Sequence, residues 1–485
     1  MELNKNTIGQ VFFTLSILML IYMLITPLNQ VLSNASEFFT LTLINFPISD
    51  LLNILGGDVN PPLYFLLLKA ISKLTADFAI LKVFSIIPYA IILILSTFKL
   101  RKDYGWLTAG LFAFALAVMS EFLMTYSLLR PYSWAMLFTL LAFVFFKDII
   151  TTADKKSFIL FTVFALLASY THYYGLIATI VLYLILLFHI LTYNKDEIKY
   201  LAISIIAAII LYAPWIPTFI NLLVSMNPVG NLTTGSIIQS LAHFSYSGDT
   251  LFSIITVLVF LVILAVYLKE NDEDMRFVLY GTAAYFGTII LVVLFSIILK
   301  PILATTGLVL ASAILWLVIS IMIGKIQNKR IFLISLALIC LVLISGIGTM
   351  IATSNDNYQS GLKQNEALDE ILKDNNSLTI ITDPGLAMYF LDFDGETDMY
   401  CVSQDYIYGE NINRFHEIFE FKTIDKQNIT DLARNNTDKN IYLISWGNPD
   451  VDLNTTLVSN ELGHVISKVN TTGLTYDEYN DYYYY

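Results

Sequence analysis

Cysteine and histidine are nearly missing from this chain: 485 residues contain two of the first and five of the second. Cys340 lies in an apolar run and Cys401 in the polar C-terminal stretch, so neither a disulfide framework nor a Cys/His metal cluster organises the fold. Charge is scarce too. Only 14% of residues are charged, and no stretch is basic enough to hold nucleic acid. The tail from about residue 354 has no glycine-rich phosphate loop and no G-x-G-x-x-G, so it offers no nucleotide site of its own, and no internal repeat of fixed period occurs in the chain. No small-residue cleavage site follows the first apolar run, which is therefore expected to stay as a membrane span.

What the chain has instead is long hydrophobic runs. Hydrophobic residues make up 56% of it and the mean hydropathy is +0.68, far above soluble proteins. A helix needs about 20 apolar residues to cross a bilayer. Eleven runs are read as spans: residues 9–31, 78–98, 106–125, 132–150, 158–171, 173–192, 200–220, 250–268, 277–298, 302–323 and 331–353. Charge splits the chain at Ser354, with 16 acidic and 19 basic residues before it and 23 acidic and 8 basic from there on. Of the 19 basic residues, 14 fall at Lys5 and in the loops 99–102, 147–156, 195–199, 269–276 and 325–330, all on one side in the eleven-span arrangement. The positive-inside rule makes that side cytoplasmic, with the N-terminus inside and the acidic tail outside.

The same rule settles residues 61–74, P-P-L-Y-F-L-L-L-K-A-I-S-K-L. As a span this short run would carry Lys69 and Lys73 and would put 99–102 outside, so it is read as an interfacial helix on the outer face. Residues 47–56 read as a second one, opened by Pro47 and closed by Gly56-Gly57. The expected architecture is a polytopic α-helical membrane domain over 1–353, with two juxtamembrane helices in an outer loop at 32–77. A small acidic α/β extracytoplasmic domain follows over 354–485. Within it, 378–382, 399–403 and 441–445 read as strands, and 362–373, 384–391 and 428–435 as helices. Asn-x-Ser/Thr triplets begin at Asn34, Asn231, Asn375, Asn428, Asn435, Asn454 and Asn470, all on the expected outer side.

Chemistry-bearing residues collect on that outer side. Glu37 and Asp58 are either general bases facing a substrate at the membrane surface or solvated loop acids and helix caps; Pro61-Pro62 stiffens the turn that carries Asp58. Asp50 fits the polar face of an amphipathic helix. Arg130 in S-L-L-R-P-Y-S-W, next to Tyr132, suits bidentate phosphate binding, or else snorkels to lipid head groups. His172 in S-Y-T-H-Y-Y-G is a ligand contact or a satisfied core histidine, and Tyr173 beside it stacks on a sugar or joins the aromatic belt. Lys300-Pro301 breaks the stretch 277–323, where Lys300 is a phosphate point charge or a turn lysine. Ala213-Pro214-Trp215-Ile216-Pro217 is expected to kink a helix near the outer surface.

An acidic first outer loop, then D-V-N-P-P-L-Y-F-L-L-L-K, then R-P-Y after the third span, then Y-T-H-Y-Y, resembles the GT-C superfamily of polyprenyl-phosphate-sugar glycosyltransferases. The RgtA/B/C/D-like and protein-mannosyltransferase-like branches are the most similar, and the resemblance covers about residues 9–320. It implies a GT-C-like fold and an inverting transfer of a hexose such as mannose. The donor would be dolichyl or undecaprenyl phosphate, and the acceptor a glycan, lipid or protein hydroxyl. It casts Glu37 or Asp58 as base, Arg130, Tyr132 and Lys300 as donor-phosphate residues, and Asn60, His172 and Tyr173 as substrate contacts. A divalent cation, Mg or Mn, is compatible with the resemblance, though no ligand cluster demands it. The chain departs from the family's pattern at Ser36, Asn60, Leu128 and Thr305-Thr306. A transporter would place ionisable residues deep in mid-helix and show repeated halves. A non-catalytic scaffold displaying the tail is the other alternative.

Overall fold

The computed structural model describes residues 4–25, 35–58, 60–75, 77–119, 122, 125–126, 128–225, 232–245, 250–299, 302–303, 305–382, 398–403, 422–446, 453–461 and 464–471. The chain divides into two compact units, one of residues 1–30 and 55–353, the other of 31–54 and 354–485.

In the first unit, nine helices among the described residues are long and apolar enough to cross a membrane. They run from Lys5–Ile25 through Ala79–Tyr104, Tyr132–Thr152, Tyr173–Tyr193, Lys195–Val224, Thr250–Tyr267, Met275–Ile298 and Thr306–Lys325 to Lys329–Gly348. The remaining two expected spans are helices as well, but shorter: Trp106–Val118 has 13 residues and Lys155–Thr171 has 17. The helix Val309–Lys325 is the core of the bundle. Every residue from Val309 to Ile323 is buried, which suits a sequence that is apolar all round. Its one large polar atom, the Trp316 indole N–H, donates to the Phe244 carbonyl at 2.6 Å. Lys5–Ile25 and Trp106–Val118 cross backbone to backbone, because Gly9 and Gly110 meet there. A Cβ on Gly9 would stand 2.2 Å from the Trp106 carbonyl.

Ion pairs gather the basic loops at one end of this bundle. Lys99 pairs with Asp148 at 2.9 Å, Lys147 with Asp274 at 3.5 Å, and Lys325 with Asp274 and Asp272 at 2.9 and 3.1 Å. Lys5 Nζ donates to the Gly324 and Ile326 carbonyls at 2.9 and 2.7 Å. Asp58, Arg130, His172 and the Ala213–Trp215 turn lie at the opposite ends of these helices. The interfacial segment at 61–74 is the helix Leu63–Ser72, begun by Pro62.

The second unit holds Ile48–Leu55, the other expected short helix, and one that sequence patterning does not anticipate, Ala35–Asn45. The last span does not stop at 353 but continues as one helix from Lys329 to Lys373. Six strands follow: β1 (Ser377–Ile381), β2 (Asp398–Ser403), β3 (Lys422–Asp425), β4 (Asn440–Trp446), β5 (Thr455–Glu461) and β6 (His464–Val469). They form one sheet in the order β3-β2-β1-β4-β6-β5. β1 to β4 are parallel, and β5 and β6 add an antiparallel hairpin at one edge. Alternate side chains serve opposite faces. Ile381, Ile444 and Ile466 pack on Leu368 and Ile371 of the long helix, while Ile380, Leu443 and Val402 pack on Ile429 and Ala433 of the helix Ile429–Asn435. Cover on both faces explains why β1 and β4 read as near-continuous apolar runs. β3, β5 and β6 escape the sequence pattern because they lie toward the edges and mix polar residues. The helix expected at 384–391 lies outside the described residues.

Candidate active site

The turn Gly56-Gly57-Asp58-Val59-Asn60-Pro61-Pro62 is built around one carboxylate oxygen. The Asn60 backbone N–H and its side-chain Nδ2 both donate to Asp58 Oδ1, each at 2.8 Å. An Asp accepting from the amide two residues on is a self-closing turn, and the prolines after Asn60 fix the backbone that leaves it. Asn60 thus spends its donors on aiming Asp58. Its buried Oδ1 has no hydrogen-bond partner among the described residues and remains for a ligand. Asp58 itself is half-buried. Removal from water pushes its carboxyl above the ordinary range, while the Arg130 charge and the two Asn60 hydrogen bonds pull it back. Such a carboxylate is a better proton acceptor than one in open solvent.

Arg130 is buried, at 7% exposure, in a tight turn closed by its own N–H on the Leu128 carbonyl at 2.9 Å. Pro131, at φ −70°, then begins the helix Tyr132–Thr152. Arg130 therefore immediately precedes the amino end of a 21-residue helix, where unsatisfied N–H groups already favour an anion.

His172 separates the helices Lys155–Thr171 and Tyr173–Tyr193 in an extended conformation. Its N–H donates back to the Ala168 carbonyl at 3.0 Å, and its Nδ1 accepts the Tyr174 N–H at 3.1 Å. It ends one helix and caps the next. Nδ1 as acceptor assigns the ring proton to Nε2. Burial, reinforced by the Arg130 charge, holds its pKa down at about 3, so His172 is a neutral N–H donor and not a base. The Tyr132 ring lies 5.2 Å from it, tilted by 43°. The tight turn needs Gly175, since a Cβ there would come within 2.5 Å of the Ala168 carbonyl oxygen.

Two tyrosines tie this turn to the rest of this end of the bundle. Tyr174 donates to the Ile302 carbonyl at 2.7 Å, and its ring covers Gly307. Tyr173 accepts the Trp215 indole N–H at 3.1 Å and packs on Phe219 at 4.9 Å. The Asp58 charge also reaches Tyr173. The structure thus brings Asp58, Asn60, Arg130, Tyr132, His172 and Tyr173 together from three separate stretches of the chain. Lys300 lies outside the described residues. Glu37 belongs to the other unit, in the first turn of Ala35–Asn45, where its side chain is fully buried and so is no solvated loop acid. Trp215 is the contributor that sequence reading misses. The A-P-W-I-P motif signals a turn but not the partner of the indole. Among the described residues no three His, Cys, Asp or Glu side chains come together as a metal site, so no step is drawn through a metal.

No family model and no curated protein sequence matches the chain. Solved structures do. The crystal structure of ArnT from Cupriavidus metallidurans bound to undecaprenyl phosphate superposes with a TM-score of 0.60 at 12% identity, covering 96% of this chain and 99% of that one. The apo ArnT structure gives 0.56 at 12% identity, covering 87% and 89%. At such low identity the likeness speaks for the fold, and nearly the whole length of both chains takes part in it. This chain has the fold of the ArnT structures.

Proposed function

We propose that this chain is a membrane glycosyltransferase. It moves a sugar from a lipid-linked phosphate to an acceptor hydroxyl on the outer face of the plasma membrane, with inversion at the anomeric carbon. The N-terminus is then cytoplasmic and the tail unit external. The observation that carries the reading is Asp58 held by Asn60 within the field of Arg130, at the end of the bundle opposite the basic loops. That undecaprenyl phosphate is bound in the ArnT structure supports a polyprenyl-phosphate donor here.

Each residue then has a role. Asp58 takes the acceptor's proton, since a neutral hydroxyl is a poor nucleophile. The oxygen attacks the anomeric carbon from the side away from the phosphate. The bond from that carbon to the phosphate oxygen breaks, and the lipid phosphate leaves with the electron pair. Arg130, with the amino end of Tyr132–Thr152 behind it, holds the charge that develops on the leaving group. His172 Nε2–H and the Tyr173 hydroxyl are proposed to donate to sugar oxygens, and the Tyr132 ring to stack on the sugar. Lys300 is proposed as a second phosphate contact and Glu37 as the alternative base. A hexose, mannose among them, is the proposed sugar, and a glycan, lipid or protein hydroxyl the acceptor.

The test is sugar release from radiolabelled undecaprenyl- and dolichyl-phosphate hexoses by purified membranes. It compares wild type with Asp58→Asn, Arg130→Ala and Glu37→Gln. Loss of turnover in Asp58→Asn and Arg130→Ala, with Glu37→Gln retained, is expected. Three variants that all turn over like wild type would show the site to be elsewhere. A wild type inert toward every donor would favour a scaffold that displays the tail unit.

A further inference from the structure

Five of the seven Asn-x-Ser/Thr triplets lie in the stretch 354–485 that carries the sheet, at Asn375, Asn428, Asn435, Asn454 and Asn470. Strand register shows where they stand. β1 and β4 run parallel, with Ser377 opposite Asn440 at their amino ends. β6 is antiparallel to β4 and β5 to β6, so Thr455 and Val469 pair at that same end of the sheet. Asn375 precedes β1, Asn454 precedes β5, Asn470 follows β6, and Asn435 closes the helix that returns to the start of β4. Four triplets therefore share the amino end of the parallel strands. Asn428 lies past the carboxyl end of β3.

The asparagines at this end fall into two groups. Those that do not head a triplet use their side-chain nitrogen to hold the structure. Asn376 donates to the Asp438 carbonyl at 2.9 Å, Asn436 to the Leu432 carbonyl at 2.9 Å, and Asn440 to Asp374 Oδ2 at 2.7 Å. Within the triplets, Asn375, Asn435 and Asn454 are exposed, and none donates a side-chain hydrogen bond among the described residues. Asn470 is half-buried, and its Nδ2 donates to Asn454 Oδ1 at 3.4 Å. The three free amide nitrogens are thus the three that carry a hydroxyl residue two positions on and stand open to solvent.

We infer that Asn375, Asn435 and Asn454 are N-glycosylated, the glycan coming from a lipid-linked oligosaccharide phosphate through the cell's own oligosaccharide-transferring enzyme. The amide nitrogen forms a bond to the anomeric carbon. The bond from that carbon to the phosphate oxygen breaks, the lipid phosphate leaves with the electron pair, and the amide proton passes to a base of that enzyme. Open α/β sheets bind ligands outside the carboxyl ends of their strands, so glycans at the amino end leave the binding end uncovered. The inference rests on the external placement of the tail proposed above and not on any activity of this chain.

Mass spectrometry of the full chain from the membranes of its native host tests it. The expected result is a mass above 54.8 kDa, with glycopeptides spanning Asn375, Asn435 and Asn454. Thr437→Ala removes the hydroxyl that the Asn435 site needs and should lose one glycan, whereas Thr437→Ser keeps it. A chain at its bare sequence mass, or glycans that Thr437→Ala leaves untouched, overturns the inference. A membrane-impermeant thiol label on Asp431→Cys separates the two failures. Labelling from outside with a bare mass defeats the glycan inference alone, and labelling only from the cytoplasm defeats the orientation and the inference with it.

Discussion

The Trp215 indole N–H donates to the Tyr173 hydroxyl at 3.1 Å, joining the Ala213–Trp215 turn to the start of the helix Tyr173–Tyr193. Both side chains are buried. Because the phenol oxygen receives this bond, its own proton is left to donate elsewhere, and the field of the Asp58 charge acts on it. Trp215 therefore fixes the direction in which Tyr173 donates. Trp215→Phe keeps the ring and removes the N–H. A hydrogen bond of about 1 kcal/mol corresponds to a rate loss of roughly fivefold. That loss is expected in kcat for sugar transfer, with KM for the lipid donor little changed. Tyr173→Phe should lose at least as much, and the double variant no more than Tyr173→Phe alone, because both act through one hydroxyl. Full additivity in steady-state kinetics would show that the two act separately.

Asn60→Ala removes one of the two hydrogen bonds that hold Asp58 Oδ1 and leaves the backbone one in place. That bond favours the ionised carboxyl, so its loss raises the Asp58 pKa further. If Asp58 is the base, as proposed, transfer needs its ionised form and fails as pH falls through this pKa. The acidic limb of the kcat–pH profile should therefore move to higher pH, by about half a unit to one unit for a bond of this strength. Asp58→Asn should abolish the limb together with the activity. An Asn60→Ala profile that superimposes on wild type would remove Asp58 from the role of base.

The end of the bundle that carries Asp58, Arg130 and His172 is readable where geometry is local. The D-V-N-P-P turn, the helix begun at Pro131 and the helix break at His172 all follow from proline, glycine and capping chemistry within a few residues. What stayed hidden depends on contacts distant in sequence. Nothing near Trp215 names Tyr173 as its partner. Asn60, read as a substrate contact, turns out to serve Asp58 with both its donors. Ala35–Asn45 was read as loop because its apolar and aromatic residues follow no helical stripe, and the helix is settled by burial instead. In the tail, β1 and β4 were legible as fully covered strands, whereas the edge hairpin β5–β6 alternates too weakly to stand out.

His172 links the site to acid stability. Its folded pKa of about 3 lies below the 6.5 of an unperturbed histidine, so the unfolded chain binds a proton that the folded one refuses. Stability from this group is therefore complete above pH 6.5 and is lost progressively as pH falls toward 3. Asp58 contributes with the opposite sign. Its raised pKa means that the folded carboxyl keeps its proton longer, so its contribution shrinks as pH rises through the carboxylate range. His172→Asn retains a side-chain acceptor for the Tyr174 N–H and removes the titration. In detergent, the melting temperature of this variant between pH 6.5 and 4 should fall less steeply than that of wild type. Equal slopes would mean that His172 is solvated in the folded protein.

Gly9 and Gly110 give the most severe expected effect on the bundle. A Cβ on Gly9 would lie 2.2 Å from the Trp106 carbonyl oxygen and 2.4 Å from the Leu107 nitrogen, and a Cβ on Gly110 would lie 2.0 Å from the Gly9 carbonyl oxygen. The obstructing atoms are backbone, which cannot swing aside as a side-chain tip can. Gly9→Ala must push the helices Lys5–Ile25 and Trp106–Val118 apart. That would also disturb the Tyr89 hydroxyl, which donates to the Ser16 and Ala113 carbonyls at 3.3 and 3.1 Å across the same crossing. Overpacking of a close contact costs about 1–3 kcal/mol, so Gly9→Ala and Gly110→Ala should each lower the melting temperature in detergent by several degrees. Gly348→Ala, at a helical position with nothing within 4 Å of the added methyl, serves as the neutral control. If Gly9→Ala melts with the control, the two helices do not cross at the glycines.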